Sequence, residues 1–218
     1  MADASHELRT PVAVLEVELE LARRPDRSRA DLSDAVGQAS QQTARLTRLT
    51  DELLFLARVD EPVSDERRLL PVQPIVEVAT ADVSSEAEAR DVRMVVDADP
   101  ATQAPVAPDA LRRAVRNLVA NAVRHSPPHA AVTARVRTDD GSAVIEVQDE
   151  GGGFPPGFLP HAFERFRRAD EARGGATGGT GLGLAIVLAV ARAHGGTAEA
   201  RNRPEGGASV SLRLPAEP

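Results

Sequence analysis

Hydrophobic positions near the start of the chain recur every three to four residues. Leu8, Val12, Leu15 and Leu19 fall at four-three-four spacing and make one apolar stripe on a helix. Arg24-Pro25-Asp26 should break that helix. Beyond it Leu32, Val36, Ala39, Leu46, Leu49, Leu53 and Leu56 form a heptad-like seam flanked by Arg, Asp, Glu and Gln. The pattern predicts a helical hairpin. Such a hairpin buries little by itself, so a four-helix bundle made by two copies is the economical packing, and a homodimer is expected.

The pattern then changes. Residues 60–74, with Pro62, Pro71 and Pro74 among several charges, read as a linker or the entry to an edge strand. Helical segments are expected at about 74–89 and 108–125. Alternation predicts strands at 131–136 and 143–147, with further strands near 92–97 and 208–214. Helices mixed with antiparallel strands predict an α+β sandwich. The expected domains are therefore 1–60 (hairpin), 61–73 (linker) and 74–218 (sandwich). Residues 174–183, dense in Gly and Thr, suit a mobile loop.

Composition narrows the function classes. A formal net charge of -7 with 27% charged residues is poor for wrapping a polyanion, so no nucleic-acid partner is expected. With no Cys there is neither a disulfide framework nor a thiolate metal site. No apolar run approaches the roughly 20 residues that span a bilayer, so the chain as given should make no membrane contact. Every basic side chain is arginine, which removes the P-loop lysine, the strand lysine of eukaryotic-type kinases and any Schiff-base lysine.

Four constellations carry chemistry. His6 lies two positions before Leu8, nearly opposite the apolar stripe, and should face water. Glu7 adjoins it, Thr10 is one turn on, and Pro11 cannot donate to the Glu7 carbonyl, so a bend is expected just after the histidine. An imidazole that attacks through one ring nitrogen must lose the proton from the other, and Glu7 is the candidate base. In N-L-V-A-N-A-V-R-H-S, Asn117, Asn121 and Arg124 form one polar stripe, while Leu111, Val115, Leu118 and Ala122 form the apolar one. Two asparagines inside a helix are unfavourable without a task, and an amide carbonyl on Mg²⁺ with Arg124 toward phosphates supplies one.

In V-I-E-V-Q-D-E-G-G-G-F, Asp149 ends a strand and could accept a hydrogen bond from an exocyclic amine such as adenine's, with Gly151, Gly152 and Gly153 allowing close approach. In G-G-T-G-L-G-L-A-I-V, Gly179, Gly181 and Gly183 open a helix whose first N–H groups attract phosphate. No strand precedes that loop, which argues against a dinucleotide fingerprint.

Taken in order, S-H-E-L-R-T-P, N-L-V-A-N-A-V-R-H-S, D-E-G-G-G-F, F-E-R-F-R-R-A-D and G-G-T-G-L-G-L-A-I-V resemble the H, N, G1, F and G2 boxes of two-component sensor histidine kinases. The resemblance spans essentially the whole chain. It implies a dimerisation and histidine-phosphotransfer hairpin followed by an ATP-binding domain of the gyrase, Hsp90, histidine kinase and MutL type. His6 would be the phosphoacceptor, Glu7 its base, and Thr10 would help place water when the protein dephosphorylates its regulator. Asn121 would hold Mg²⁺ beside Asn117, and Arg124 would face the phosphates. Asp149 would read adenine with Gly151 and Gly153, while Gly179, Thr180, Gly181, Leu182 and Gly183 would close over the triphosphate of ATP. Phe163 and Phe166 would anchor the lid. The implied partners are a second copy and the receiver domain of a response regulator.

Three departures matter. His125 stands where the family often has Tyr, which alters any stacking on adenine. The chain begins five residues before His6, so the resemblance implies a cytoplasmic fragment of a longer membrane-anchored protein. Asn117 stands where ATP-hydrolysing relatives carry a glutamate base, and an amide cannot deprotonate water, so the γ-phosphate should survive until a histidine arrives. An anti-sigma-type serine kinase would lack the S-H-E-L-R-T-P segment, Asn117 disfavours an Hsp90-like ATPase, and intact Glu7, Asn121 and Asp149 disfavour a nucleotide-binding scaffold.

Overall fold

The computed structural model describes residues 2–23, 28–59, 67–169 and 179–216, with side chains from residue 8 onward. The expected hairpin is present as α1 (Ala2–Ala22) and α2 (Arg29–Val59), packed against each other. Helix α1 runs unbroken through Pro11. The expected breaker at 24–26, residues 61–66 of the linker and the loop at 174–178 lie outside the described residues. Ser28 starts α2 through a capping box. Its N–H and hydroxyl both donate to Asp31 Oδ2 (3.0 and 2.8 Å), and the Asp31 N–H returns to the Ser28 hydroxyl at 3.1 Å.

The remainder is a five-stranded sheet in the order β2-β4-β5-β7-β6, covered on one face by helices. Its strands are β2 (Arg93–Ala98), β4 (Ala131–Asp139), β5 (Ser142–Gln148), β6 (Thr197–Asn202) and β7 (Ala208–Pro215). Strand alternation explains the layering: Val132, Ala134, Val136, Ile145, Val147, Val210 and Leu212 turn inward and are buried. They meet α5 (Pro108–His125) and α6 (Gly183–Ala193), which pack on each other. Each buried leucine or isoleucine here contributes about 1.5–3 kcal/mol.

The structure corrects several expectations. The segment expected as one helix at 74–89 is two, α3 (Gln73–Ala81) and α4 (Ser84–Ala89). The break falls at Asp82-Val83, where Val83 leaves helical geometry at φ -109°, ψ 0° and its side chain joins the core. The sheet is mixed, because β2 pairs parallel to β4. A small second sheet joins β1 (Arg68–Pro71), from the stretch read as a linker or the entry to an edge strand, to β3 (Gln103–Val106).

Two features fix the elements that frame the site. His194, at the end of α6, accepts the Ala107 N–H at Nε2 (3.0 Å), and its Nδ1 lies 2.7 Å from the Val190 carbonyl. Those partners require the neutral ring, and burial lowers its pKa in the same direction. Across the far face of the sheet, Glu146 is 4% exposed and accepts bonds from Ser209 (2.6 Å) and Arg201 (2.8 Å). Burial alone would push its carboxyl up. The Ser209, Arg201 and Gln148 hydrogen bonds outweigh it and hold the group at about 2.

Candidate functional site

Helix α5 positions the first set of side chains. Leu111, Ala114, Val115, Leu118, Val119, Ala122 and Val123 are buried against the sheet, and this fixes the helix's rotation. The polar stripe Asn117, Asn121 and Arg124, together with the neighbouring His125, then lines a cavity. Burial draws the Arg124 guanidinium below its ordinary value. Glu86 opposes that fall and Arg48 adds to it. Among the described residues, Asn117 Nδ2 is the one buried side-chain nitrogen or oxygen without a hydrogen-bond partner. A buried amide left unsatisfied costs about 1–3 kcal/mol and so points to a ligand in this cavity.

The second set comes from the end of β5. Asp149 is buried, and its Oδ1 accepts the N–H groups of Gly151 (2.8 Å) and Ala208 (3.1 Å). Both bonds fall on Oδ1, which leaves Oδ2 to serve a ligand. Gly151 is required by its neighbours, since a Cβ there would come 2.3 Å from the His125 carbonyl oxygen. Phe154 and Phe158 stack with centroids 5.9 Å apart and both line the cavity. They supply aromatic surface beside His125 that motif reading did not single out.

The glycine loop closes the third side. Gly179, Thr180, Gly181 and Gly183 line the cavity, as does Gly153. Gly181 has φ +72°, and a Cβ on it would press to 2.8 Å from the Phe166 backbone. Phe166 itself sits at φ +64°, rare for a bulky residue, and its N–H donates to the Gly181 carbonyl at 2.9 Å. Phe163 and Phe166 are partly buried and pack against the core. Leu182 is fully buried and does not reach the cavity; it holds the loop from beneath as the residue preceding α6. Gly151 likewise acts behind the lining.

The hairpin candidates stand apart. Thr10 is exposed on α1 and does not line the cavity. His6 and Glu7 lie on α1, and their side chains are outside the described ones. Two hairpin residues that motif reading missed do reach the cavity: Arg48 and Glu52, one turn apart on α2. The Thr180 hydroxyl donates to Glu52 Oε2 while accepting the Leu182 N–H at 3.3 Å. Burial raises the Glu52 carboxyl. The Thr180 bond and the charges of Arg113, Arg48 and Arg124 pull it back. The neighbouring contact is tight: Arg113 stacks 4.3 Å over Phe55 and donates to the Asp51 carbonyl at 2.9 Å. As a flank of an apolar seam, Glu52 reads in sequence as an ordinary solvated charge.

The unsatisfied Asn117 amide, the half-used Asp149 carboxylate and the glycine cradle together suit an adenine nucleotide with its phosphates toward Arg124 and α6. Two family models match the chain. The His Kinase A (phospho-acceptor) domain covers residues 1–62, and the histidine kinase-, DNA gyrase B-, and HSP90-like ATPase covers residues 106–218. A probable sensor histidine kinase HK of Mycobacterium tuberculosis (strain CDC 1551 / Oshkosh) is 41% identical over 206 residues, 94% of this chain and 52% of that protein. The mycobacterial sensor histidine kinase MprB is 31% identical in structure-based comparison, with a TM-score of 0.61 over 69% of this chain and 99% of that one. The Acinetobacter baumannii histidine kinase AdeS, 20% identical, shares the fold with a TM-score of 0.74 over 97% of this chain and 98% of its own. The chain spans about half the length of the curated relatives it matches. No helix among the described residues is long and apolar enough to cross a membrane. With a phosphoacceptor hairpin and a nucleotide domain matched in that order, and one cavity lined by most of the motif residues of the second, the chain belongs to the two-component sensor histidine kinases.

Proposed function

We propose that this chain is the catalytic core of a sensor histidine kinase, which transfers the γ-phosphoryl group of ATP to His6 and then to an aspartate of a response regulator. The observation that carries the nucleotide half is the orphaned Asn117 amide beside Asp149, Asn121 and Arg124 in one cavity. Asp149 Oδ2 would accept the adenine amine, and Arg124 would pair with phosphate oxygens. Asn121 would supply a carbonyl oxygen to Mg²⁺, whose chemistry is to neutralise phosphate charge.

In the transfer step a His6 ring nitrogen forms a bond to the γ-phosphorus as the bond to the ADP oxygen breaks. Glu7 takes the proton released from the ring's other nitrogen. Asn117 offers no base for water, so the site favours the histidine acceptor over hydrolysis. Thr10, one turn from His6, would place water when the regulator is dephosphorylated. The functional units are residues 1–60 and 74–218, joined by 61–73, of which β1 pairs with β3 of the second unit; a hinge between the two units would bring His6 to the nucleotide. Exposed Val12, Leu19, Leu32 and Val36 support a homodimer through the hairpin. The chain covers about half of its curated relatives' length, and we read it as the cytoplasmic core of a longer, membrane-anchored protein.

The test is transfer. Protein labelled from γ-labelled ATP and freed of nucleotide should pass its label to a receiver domain bearing the acceptor aspartate. A receiver with that aspartate changed to Asn should take none. Equal labelling of the two receivers, or label that never leaves the kinase, contradicts the proposal.

A further inference from the structure

Glu52 is an unusual residue to find at a phosphate site. It belongs to α2, yet it lines the same cavity as Asn117, Arg124 and the glycine loop. Its Oε2 accepts the hydroxyl of Thr180, the residue whose Oγ1 also receives the Leu182 N–H at the entry to α6. A carboxylate there sits at the positive end of α6's dipole, next to the loop that should cradle phosphates. Three guanidinium groups act on it, those of Arg113, Arg48 and Arg124. Arg124 is the group expected to meet the nucleotide's phosphates. Glu52 therefore already uses the same electrostatic partners that a triphosphate would need.

Its position is held from behind. Leu49 and Leu56, one turn to either side of it, are 2% and 1% exposed and belong to the core cluster of the sandwich. Arg113 grips the same turn through Phe55 and the Asp51 carbonyl. The carboxylate is thus a property of α2 lying against the catalytic domain.

We propose that Glu52 is a resident anion of the phosphate end of the nucleotide site, so that a bound triphosphate and the docked position of α2 oppose one another. The inference rests on the nucleotide reading of the cavity and adds to it a residue that sets affinity according to phosphate charge. Two anions sharing one set of cations repel, and linkage makes the effect reciprocal. Phosphates weaken docking of α2 by the same factor by which docking weakens the phosphates. Loading the site then helps free the hairpin from the domain, which a hinge motion toward His6 needs.

The experiment is calorimetric titration of the full chain with adenylyl imidodiphosphate plus Mg²⁺ and, separately, with adenosine. Wild type is compared with Glu52→Gln and the charge-keeping Glu52→Asp. Glu52→Gln should bind the triphosphate analogue on the order of 10-fold more tightly. Glu52→Asp should stay near wild type, and adenosine affinity should be the same in all three. Unchanged or weaker analogue binding by Glu52→Gln overturns the inference, as does an equal gain for adenosine. If none of the proteins takes up either ligand, the nucleotide reading fails and this inference falls with it. A second readout needs no variant: in wild type, amide hydrogens at 49–56 should exchange faster with the analogue than with adenosine. Identical exchange contradicts the coupling.

Discussion

The two halves of α2 carry the same apolar periodicity but have different surroundings. Toward its C-terminus Leu49 and Leu56 are almost wholly buried against the catalytic domain, whereas toward its N-terminus Leu32 is 38% and Val36 63% exposed. On α1, Val12 and Leu19 are similarly open, at 40% and 49%. A seam of leucines thus states that a face wants cover without stating what covers it. The C-terminal half finds its cover within the chain. The N-terminal half leaves its apolar face uncovered within the single chain, where a second copy would cover it.

The sharpest way to break that contrast is truncation on the docked side. Leu56→Ala should cost about 2–5 kcal/mol in urea unfolding, because it opens a cavity between α2 and the sandwich. A loss no greater than that of a surface change would show that the docked half is not part of the core.

Acid offers a second comparison, between the docking contact and the sheet. Glu146 is held at about 2, below the ordinary 4.5, so its stabilising contribution is present above about 4.5 and is lost as pH falls toward 2. Glu52 is shifted the other way: burial raises its pKa, so the folded chain keeps that proton where the unfolded chain has lost it. The docking contact should therefore weaken as pH rises from the ordinary carboxylate range through the raised value, and strengthen as pH falls. Unfolding measured across acid pH should show Glu146→Gln flattening the acid limb and Glu52→Gln removing the opposite slope. Slopes of the same sign at both sites would contradict the assigned environments.

The smallest expected effect on folding is at the open end. Val36→Ala should change stability in dilute solution by no more than about 0.5 kcal/mol while shifting sedimentation toward monomer. A loss comparable to that of Leu56→Ala would place Val36 in a core that the single chain does not have.

These contrasts also explain what was legible in the sequence. Helices α1, α2 and α5 and strand β4 follow from period, since each carries a one-sided apolar pattern, and β5 follows from a short apolar run that is buried on both faces. The motif residues on α5, at Asp149 and in the glycine loop converge on one cavity as their order suggested. Strand β6 was not legible, because as an edge strand it offers only Ala198 and Ala200 to the core. Nor was the pairing of β1 with β3, which are short strands more than thirty residues apart in the chain. Arg48 and Glu52 were missed for a related reason. Their role comes from a contact between domains, and nothing in the local spacing separates a charge at such a contact from one in water. Phe154 and Phe158 follow the Asp149 turn closely, and two aromatics four residues apart in a chain with few of them were a usable signal.

The central claim is that the nucleotide domain serves His6, and labelling tests it most directly. Wild type and His6→Gln are incubated with Mg²⁺ and γ-labelled ATP, and the label's stability is followed in acid and in base. The account predicts an acid-labile, base-stable label on wild type that is absent from His6→Gln while both proteins bind ATP equally. A label that persists in His6→Gln, or wild type that binds ATP and never becomes labelled, would contradict it.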